Sequence, residues 1–136
     1  MDGYGKRVLV VDDDHHVRFL LGTLLDHAGY TVVPACDGLA ALNELSKRHF
    51  DVVVTDYRMP VLNGIDLLRQ IQVHYPRLPV IMVSATLPEE ISRLDYQPFA
   101  CIRKPYNNML LLKVVRSAAH GRATSRKIEI PEAALR

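Results

Sequence analysis

Several common functions lose support here for want of the residues they need. Cysteine is scarce: Cys36 and Cys101 are the only two, their spacing matches no metal motif, and both read as reduced, buried thiols. No apolar run approaches the roughly 20 residues of a membrane span. The opening Met1-Asp2-Gly3-Tyr4 is no signal peptide, so the cytosol is the expected location. A formal net charge of +2, with no basic run and no zinc motif, gives no reason to expect nucleic acid as a partner. There is also no G-x-G-x-x-G and no P-loop. The first strand–helix turn is acidic and would repel a nucleotide phosphate, which argues against dinucleotide binding and NTP hydrolysis. No internal repeat or low-complexity segment interrupts the chain.

What is present is an alternation of two patterns. At 136 residues the chain has the length of one domain with room for a core, and 49% hydrophobic and 24% charged residues are ordinary for a globular protein. Val8 to Val11 and Val52 to Val54 are short apolar runs without polar alternation, as expected of strands buried on both faces. Tyr30 to Ala35, Pro79 to Ser84 and Phe99 to Arg103 predict three more strands. Between and after them come helical spacings. Val17, Leu20, Leu21, Leu24, Leu25 and Ala28 are ended by Gly29. Leu39, Leu42 and Leu45 follow a cap at Asp37, and Leu67, Leu68 and Ile71 follow a cap at Asn63 and stop at Pro76. A short helix is expected over about Pro88 to Leu94. The last runs from about Asn107 to His120, with Leu111, Val114, Val115 and Ala118 inward. Five strands alternating with five helices over short connections imply an α/β fold with a parallel, doubly wound sheet.

A parallel sheet puts every strand's carboxyl end on one edge, where such folds place their ligands. Four of those ends carry polar residues: Asp12-Asp13, Asp56, Ser84 and Lys104. Three carboxylates in one crevice repel one another and need compensation. A hard cation with oxygen ligands supplies it, and Mg²⁺ (or Mn²⁺) suits one or two carboxylates, a phosphate oxygen and waters. The metal and a lysine would neutralise a transferring phosphoryl group, to which a serine hydroxyl can donate. A carboxylate can attack phosphorus and hold it as an acyl phosphate, and Asp56, at the end of a buried strand, is the candidate nucleophile.

Val10-Val11-Asp12-Asp13, Asp56-Tyr57-Arg58-Met59-Pro60, Asn63-Gly64, Ser84-Ala85 and Lys104-Pro105 stand in this order at successive strand ends. Each motif alone is weak; together they make residues 6 to 120 resemble the receiver domain of two-component response regulators. The resemblance implies a flavodoxin-like, five-stranded sheet in the order 2-1-3-4-5, with helices on both faces. It also implies that Asp56 is the phosphoacceptor, served by a sensor histidine kinase or phosphotransfer protein. Asp13 would ligate Mg²⁺ directly and Asp12 mainly through water, with Asp56 and the Arg58 backbone carbonyl completing the protein ligands. Ser84 would be the switch hydroxyl, Lys104 the partner of the phosphoryl group, and Lys104–Pro105 a cis peptide. The chain departs from the family twice. Cys101 stands where an aromatic switch residue is common, with Phe99 expected on the same strand face. Thr86 to Pro98 lacks the usual Gly-Ala turn and is short.

Other features have plainer readings. Asp14 is expected to cap the first helix. His15 and His16, adjacent on a helix, point apart and read as a solvated face, and Asp51 and Asp66 as cap or surface residues. Met109, Leu110 and Leu112 widen the last helix's apolar surface, which suggests a dimer or output contact formed by the fourth and fifth helices. Residues 121–136, with no periodicity, read as a mobile tail or linker stub. No nucleic-acid-binding module follows residue 120, so the expectation is a stand-alone receiver or a piece of a longer regulator or hybrid kinase. Two rival functions stand beside the receiver. One is an aspartyl-phosphate phosphatase resembling the haloacid dehalogenase superfamily, using the D-x-D of Asp12 and Asp14, although His16 stands where that family expects Thr or Val. The other is a pseudo-receiver that binds a partner without being phosphorylated.

Overall fold

Short runs rich in β-branched residues, each closed by a cap or turn, give the strands. In the computed structural model, which describes residues 3–85, 89–121 and 128–129, these are β1 (Arg7–Val11), β2 (Thr31–Ala35), β3 (Val52–Asp56), β4 (Val80–Ser84) and β5 (Ala100–Arg103). The α-helices among the described residues are α1 (His15–His27), α2 (Gly38–Lys47), α3 (Gly64–His74) and α4 (Asn108–His120). The five strands are parallel in the order β2-β1-β3-β4-β5.

Strand alternation sends successive side chains to opposite faces, and two cores result. Val8, Val10, Val52, Val54, Ile81, Val83 and Ile102 pack against Leu21 and Leu25 of α1 and Leu111, Val114 and Val115 of α4. Leu9, Val11, Val53, Met82 and Cys101 pack on the other side against Ala41 and Leu45 of α2 and Leu67, Leu68 and Ile71 of α3. The central strands are buried on both faces, whereas β2 is only partly covered, with Thr31 and Pro34 exposed. As an edge strand it accommodates Pro34, which has no N–H to give a further neighbour.

The caps expected at Asp14, Asp37 and Asn63 hold, and Asn107 caps the last helix as well. Asp14 accepts from the His16 and Val17 N–H groups, Asp37 from Ala40, Asn63 from Asp66, and Asn107 from Met109 and Leu110. Gly29, at φ 98°, turns the chain out of α1 in the left-handed region that favours glycine.

Several expectations are corrected. The short helix expected before β5 is of the 3-10 type and spans Glu89–Arg93, while Thr86 to Pro88 lie outside the described residues. Gln97 donates to the Ile91 and Leu94 carbonyls and so holds that turn with a side chain. Leu20 and Leu39, placed on apolar faces by spacing, are exposed, as is Cys36. Phe99 packs against the α1/α4 core while Cys101 faces the α2/α3 core; Phe99 precedes β5, so strand alternation does not extend to it. Of the segment read as a tail, Ile128–Glu129 form a two-residue strand, β6, parallel to β5. β6 uses backbone groups of an edge that would otherwise lie open. The rest of residues 122–136 lies outside the described residues.

Candidate functional site

The register brings the polar strand ends level. Val11 of β1 pairs with Thr55 of β3, Asp56 with Val83 of β4, and Ser84 with Arg103 of β5. Asp12-Asp13, Asp56, Ser84 and Lys104 therefore leave the sheet along one edge. Asp12, Asp13 and Asp56 each present a carboxylate oxygen within 4.8 Å of the others. Lys104 Nζ lies 3.4 Å from Asp12 Oδ2 and 3.7 Å from Asp56 Oδ2. The predicted trio and the lysine thus converge.

Each acid is held differently. Asp12 is 4% exposed; its Oδ1 accepts from the Asp14 N–H at 2.9 Å and its Oδ2 faces Lys104. Burial pushes its pKa up, the Asp14 N–H and Lys104 work against that, and the charge of Asp56 adds to the rise. A carboxylate destabilised in this way is expected where three acids share one lysine. Asp13 is exposed at the mouth. Asp56 Oδ1 accepts from the Tyr57 N–H at 2.8 Å, and its carbonyl accepts from the Thr55 hydroxyl at 2.9 Å. Its Oδ2 is the oxygen turned to Lys104.

Arg58 lines an open cleft of about 480 Å³ with Asp13, Tyr57, Met59, Pro60 and Asn63. Ser84 is buried, and its carbonyl accepts from the Lys104 N–H at 2.9 Å, fixing where the lysine leaves β5. The Lys104–Pro105 peptide is cis. Gly64 is required by close approach: a Cβ there would lie 2.6 Å from the Asp56 carbonyl oxygen and 2.8 Å from Tyr57 Cα. Its own N–H donates to the Tyr57 carbonyl at 2.7 Å, so the start of α3 is fastened to the phosphoacceptor candidate's neighbour.

Asp14 does not join the cluster as a ligand. Its carboxylate is committed to the His16 and Val17 N–H groups, which hold its pKa below the usual range. His15 and His16 are exposed.

Three features at this edge escaped sequence reasoning. Arg18 donates to the Asp12 carbonyl at 2.7 Å; a helix spacing that leaves Arg18 off the apolar face carries no signal of it. Tyr106 is partly buried, and burial and then the Asp12 charge push its phenol pKa up. Val61 sits at φ 69°, flanked by a Leu62 N–H to Pro60 carbonyl bond of 2.7 Å that closes a γ-turn. A β-branched residue is about the least expected occupant of that conformation.

The geometry agrees with what similar proteins are. The sensor histidine kinase RcsC of Escherichia coli is 43% identical over 106 residues, covering 76% of this chain and 11% of the kinase. A CpxR homolog of Haemophilus influenzae is 36% identical over 115 residues, covering 82% of this chain and 49% of that protein. The chain therefore spans less than half the length of these relatives. The structure of the response regulator protein TrrA from Thermotoga maritima superposes with a TM-score of 0.76 at 28% identity, over 83% of this chain and 98% of that one. Residues 8–116 match the family model of the response regulator receiver domain, and the chain belongs to that family, the receiver domains of two-component signalling.

Proposed function

We propose that Asp56 takes a phosphoryl group from the phosphohistidine of a sensor kinase or phosphotransfer protein, and that the modified site biases an output surface. One observation carries this reading: three carboxylates within 4.8 Å and a lysine ammonium at 3.4 and 3.7 Å from two of them, on the carboxyl edge of the sheet. With Oδ1 held by the Tyr57 N–H, Oδ2 is the oxygen left to attack phosphorus. The new bond is an acyl phosphate, the P–N bond to histidine breaks, and the leaving imidazole nitrogen takes up a proton. Lys104 exchanges its contact with Oδ2 for one with the phosphoryl oxygens. The Ser84 hydroxyl donates to the same group once it is in place.

Asp12, Asp13, Asp56 and the Arg58 carbonyl would hold Mg²⁺ or Mn²⁺. The donor set is all oxygen, and three acids exceed the single lysine beside them, which suits a hard divalent cation. Such an ion neutralises charge on the transferring phosphoryl oxygens. That TrrA has been crystallised with Mg²⁺ and BeF supports this part of the reading. Small phosphodonors would serve in place of the kinase, and hydrolysis of the acyl phosphate would end the signal.

Residues 6–120 form the receiver in this reading, and 121–136 act as a tail or a linker. No helix among the described residues is long and apolar enough to cross a membrane, and the proposed location is cytoplasmic. Met109 is 76% exposed on α4 and is the residue offered for a homodimer or output contact. A phosphatase of the dehalogenase type gains nothing from this site, because Asp14 of its D-x-D is consumed as a helix cap.

The test is to incubate the protein with Mg²⁺ and a small phosphodonor and weigh it intact. One phosphoryl adduct is expected in the wild type and none in Asp56→Asn or without a divalent ion. An unmodified wild type, or an adduct that survives Asp56→Asn, overturns the proposal.

A further inference from the structure

Four contacts hold Asp12 at the first strand end. The Asp12 N–H donates to the Ala35 carbonyl of β2 at 3.2 Å. One carboxylate oxygen of Asp12 accepts from the Asp14 N–H, and the other faces Lys104. The Asp12 carbonyl, which belongs to the Asp12–Asp13 peptide itself, accepts from Arg18 Nη1 at 2.7 Å. Among the described residues, this last contact is the one that acts on the peptide plane that aims Asp13. Asp13 is exposed, so little packing constrains it, and rotation of that plane would carry its carboxylate away from Asp56.

The position of Arg18 is otherwise unfavourable. It lies one residue beyond the first three of α1, where a cation opposes the helix dipole. Its neighbour in the helix, His15, meets the guanidinium only through Nδ1 at 3.4 Å. A short charge-assisted bond to a carbonyl offsets that placement. The side chain is half-buried and lines a surface groove together with Phe19, Val32 and Pro34.

We infer that Arg18 is a positioning residue for divalent-cation binding: through the Asp12 carbonyl it holds the Asp12–Asp13 peptide so that the Asp13 carboxylate faces Asp56. This rests on the reading of the acid cluster as a Mg²⁺ site. Arg18 touches neither the ion nor the phosphoryl group. Its loss weakens cation binding and leaves the chemistry of the loaded site intact.

The experiment measures Mg²⁺ affinity by calorimetry and, separately, the Mg²⁺ dependence of phosphorylation by a small donor. The proteins are wild type, Arg18→Met, which keeps an apolar stem without the donor, and Arg18→Lys, which restores a cation without the planar fork. Arg18→Met is expected to raise the Mg²⁺ dissociation constant about tenfold, equivalent to ~1.4 kcal/mol. Its phosphorylation rate at saturating Mg²⁺ should stay within about twofold of wild type, by the distinction between binding and chemistry. Arg18→Lys should fall between the two. A variant of lowered thermal stability but unchanged Mg²⁺ affinity shows a merely structural role and overturns the inference. So does a loss of rate that saturating Mg²⁺ does not restore. Should Arg18→Met fail to fold, Arg18→Lys decides alone, and an unchanged dissociation constant counts against the inference. Failure of the wild type to bind Mg²⁺ at all removes instead the reading of the cluster on which the inference rests.

Discussion

At the scale of single residues the site stores unfavourable energy, and two residues show it. Asp12 is buried with its pKa raised, chiefly by burial. The folded protein then binds its proton more tightly than the unfolded chain does. Its contribution to stability is full below the ordinary aspartate pKa of 3.8 and is lost as pH rises through the raised value. Asp12→Asn keeps the acceptor for the Asp14 N–H and removes the charge. Without divalent ions at neutral pH it is expected to melt a few degrees above wild type, and the difference between the two should vanish at acid pH. A lower melting point for Asp12→Asn at neutral pH would contradict the assignment of cost. Val61, 82% exposed at φ 69°, has almost no packing to lose. Val61→Gly should stabilise the fold by about 1 kcal/mol in denaturant titration, strain relief outweighing the entropy of glycine. The four groups that converge were legible because each sits at the end of a recognisable strand. Arg18 and Val61 were not, since one acts by a hydrogen bond to a carbonyl and the other through a backbone angle.

At the scale of elements, caps and periodicity were the readable signals. Asp14, Asp37 and Asn63 all cap as their positions before apolar repeats foretell, and Asn107 does the same for α4. Removing one, by Asn63→Ala, should cost about 1 kcal/mol of stability. Gly64→Ala in the next position should cost more, ~1–3 kcal/mol, because its Cβ meets backbone that a rotamer change cannot move. The same change should slow phosphorylation by displacing Asp56, and equal rates for both variants and wild type would sever α3 from the site. The segment before β5 was less legible. Its 3-10 turn is held by Gln97 and flanked by the Arg69–Tyr96 contact, with the Tyr96 hydroxyl 2.9 Å from Arg69 Nε. These are tertiary contacts with no periodic trace. Leu20 and Leu39 failed the other way, for a helical stripe wider than the surface available leaves its margin exposed.

At the scale of the molecule, the doubly wound order follows from strands buried on both faces, and that order sets the acids side by side. Stability and function are therefore opposed at one edge, where a divalent ion would relieve the repulsion. Mg²⁺ at 100 times its dissociation constant should raise stability by about 2.7 kcal/mol, and Asp13→Asn should abolish most of that gain. The most direct test locates the phosphoryl group. After reaction with Mg²⁺ and a small phosphodonor, borohydride converts an aspartyl phosphate to homoserine, which peptide mass mapping places in the chain. The account predicts homoserine at position 56 alone. Homoserine at position 12 or 13, or at no aspartate, would contradict it.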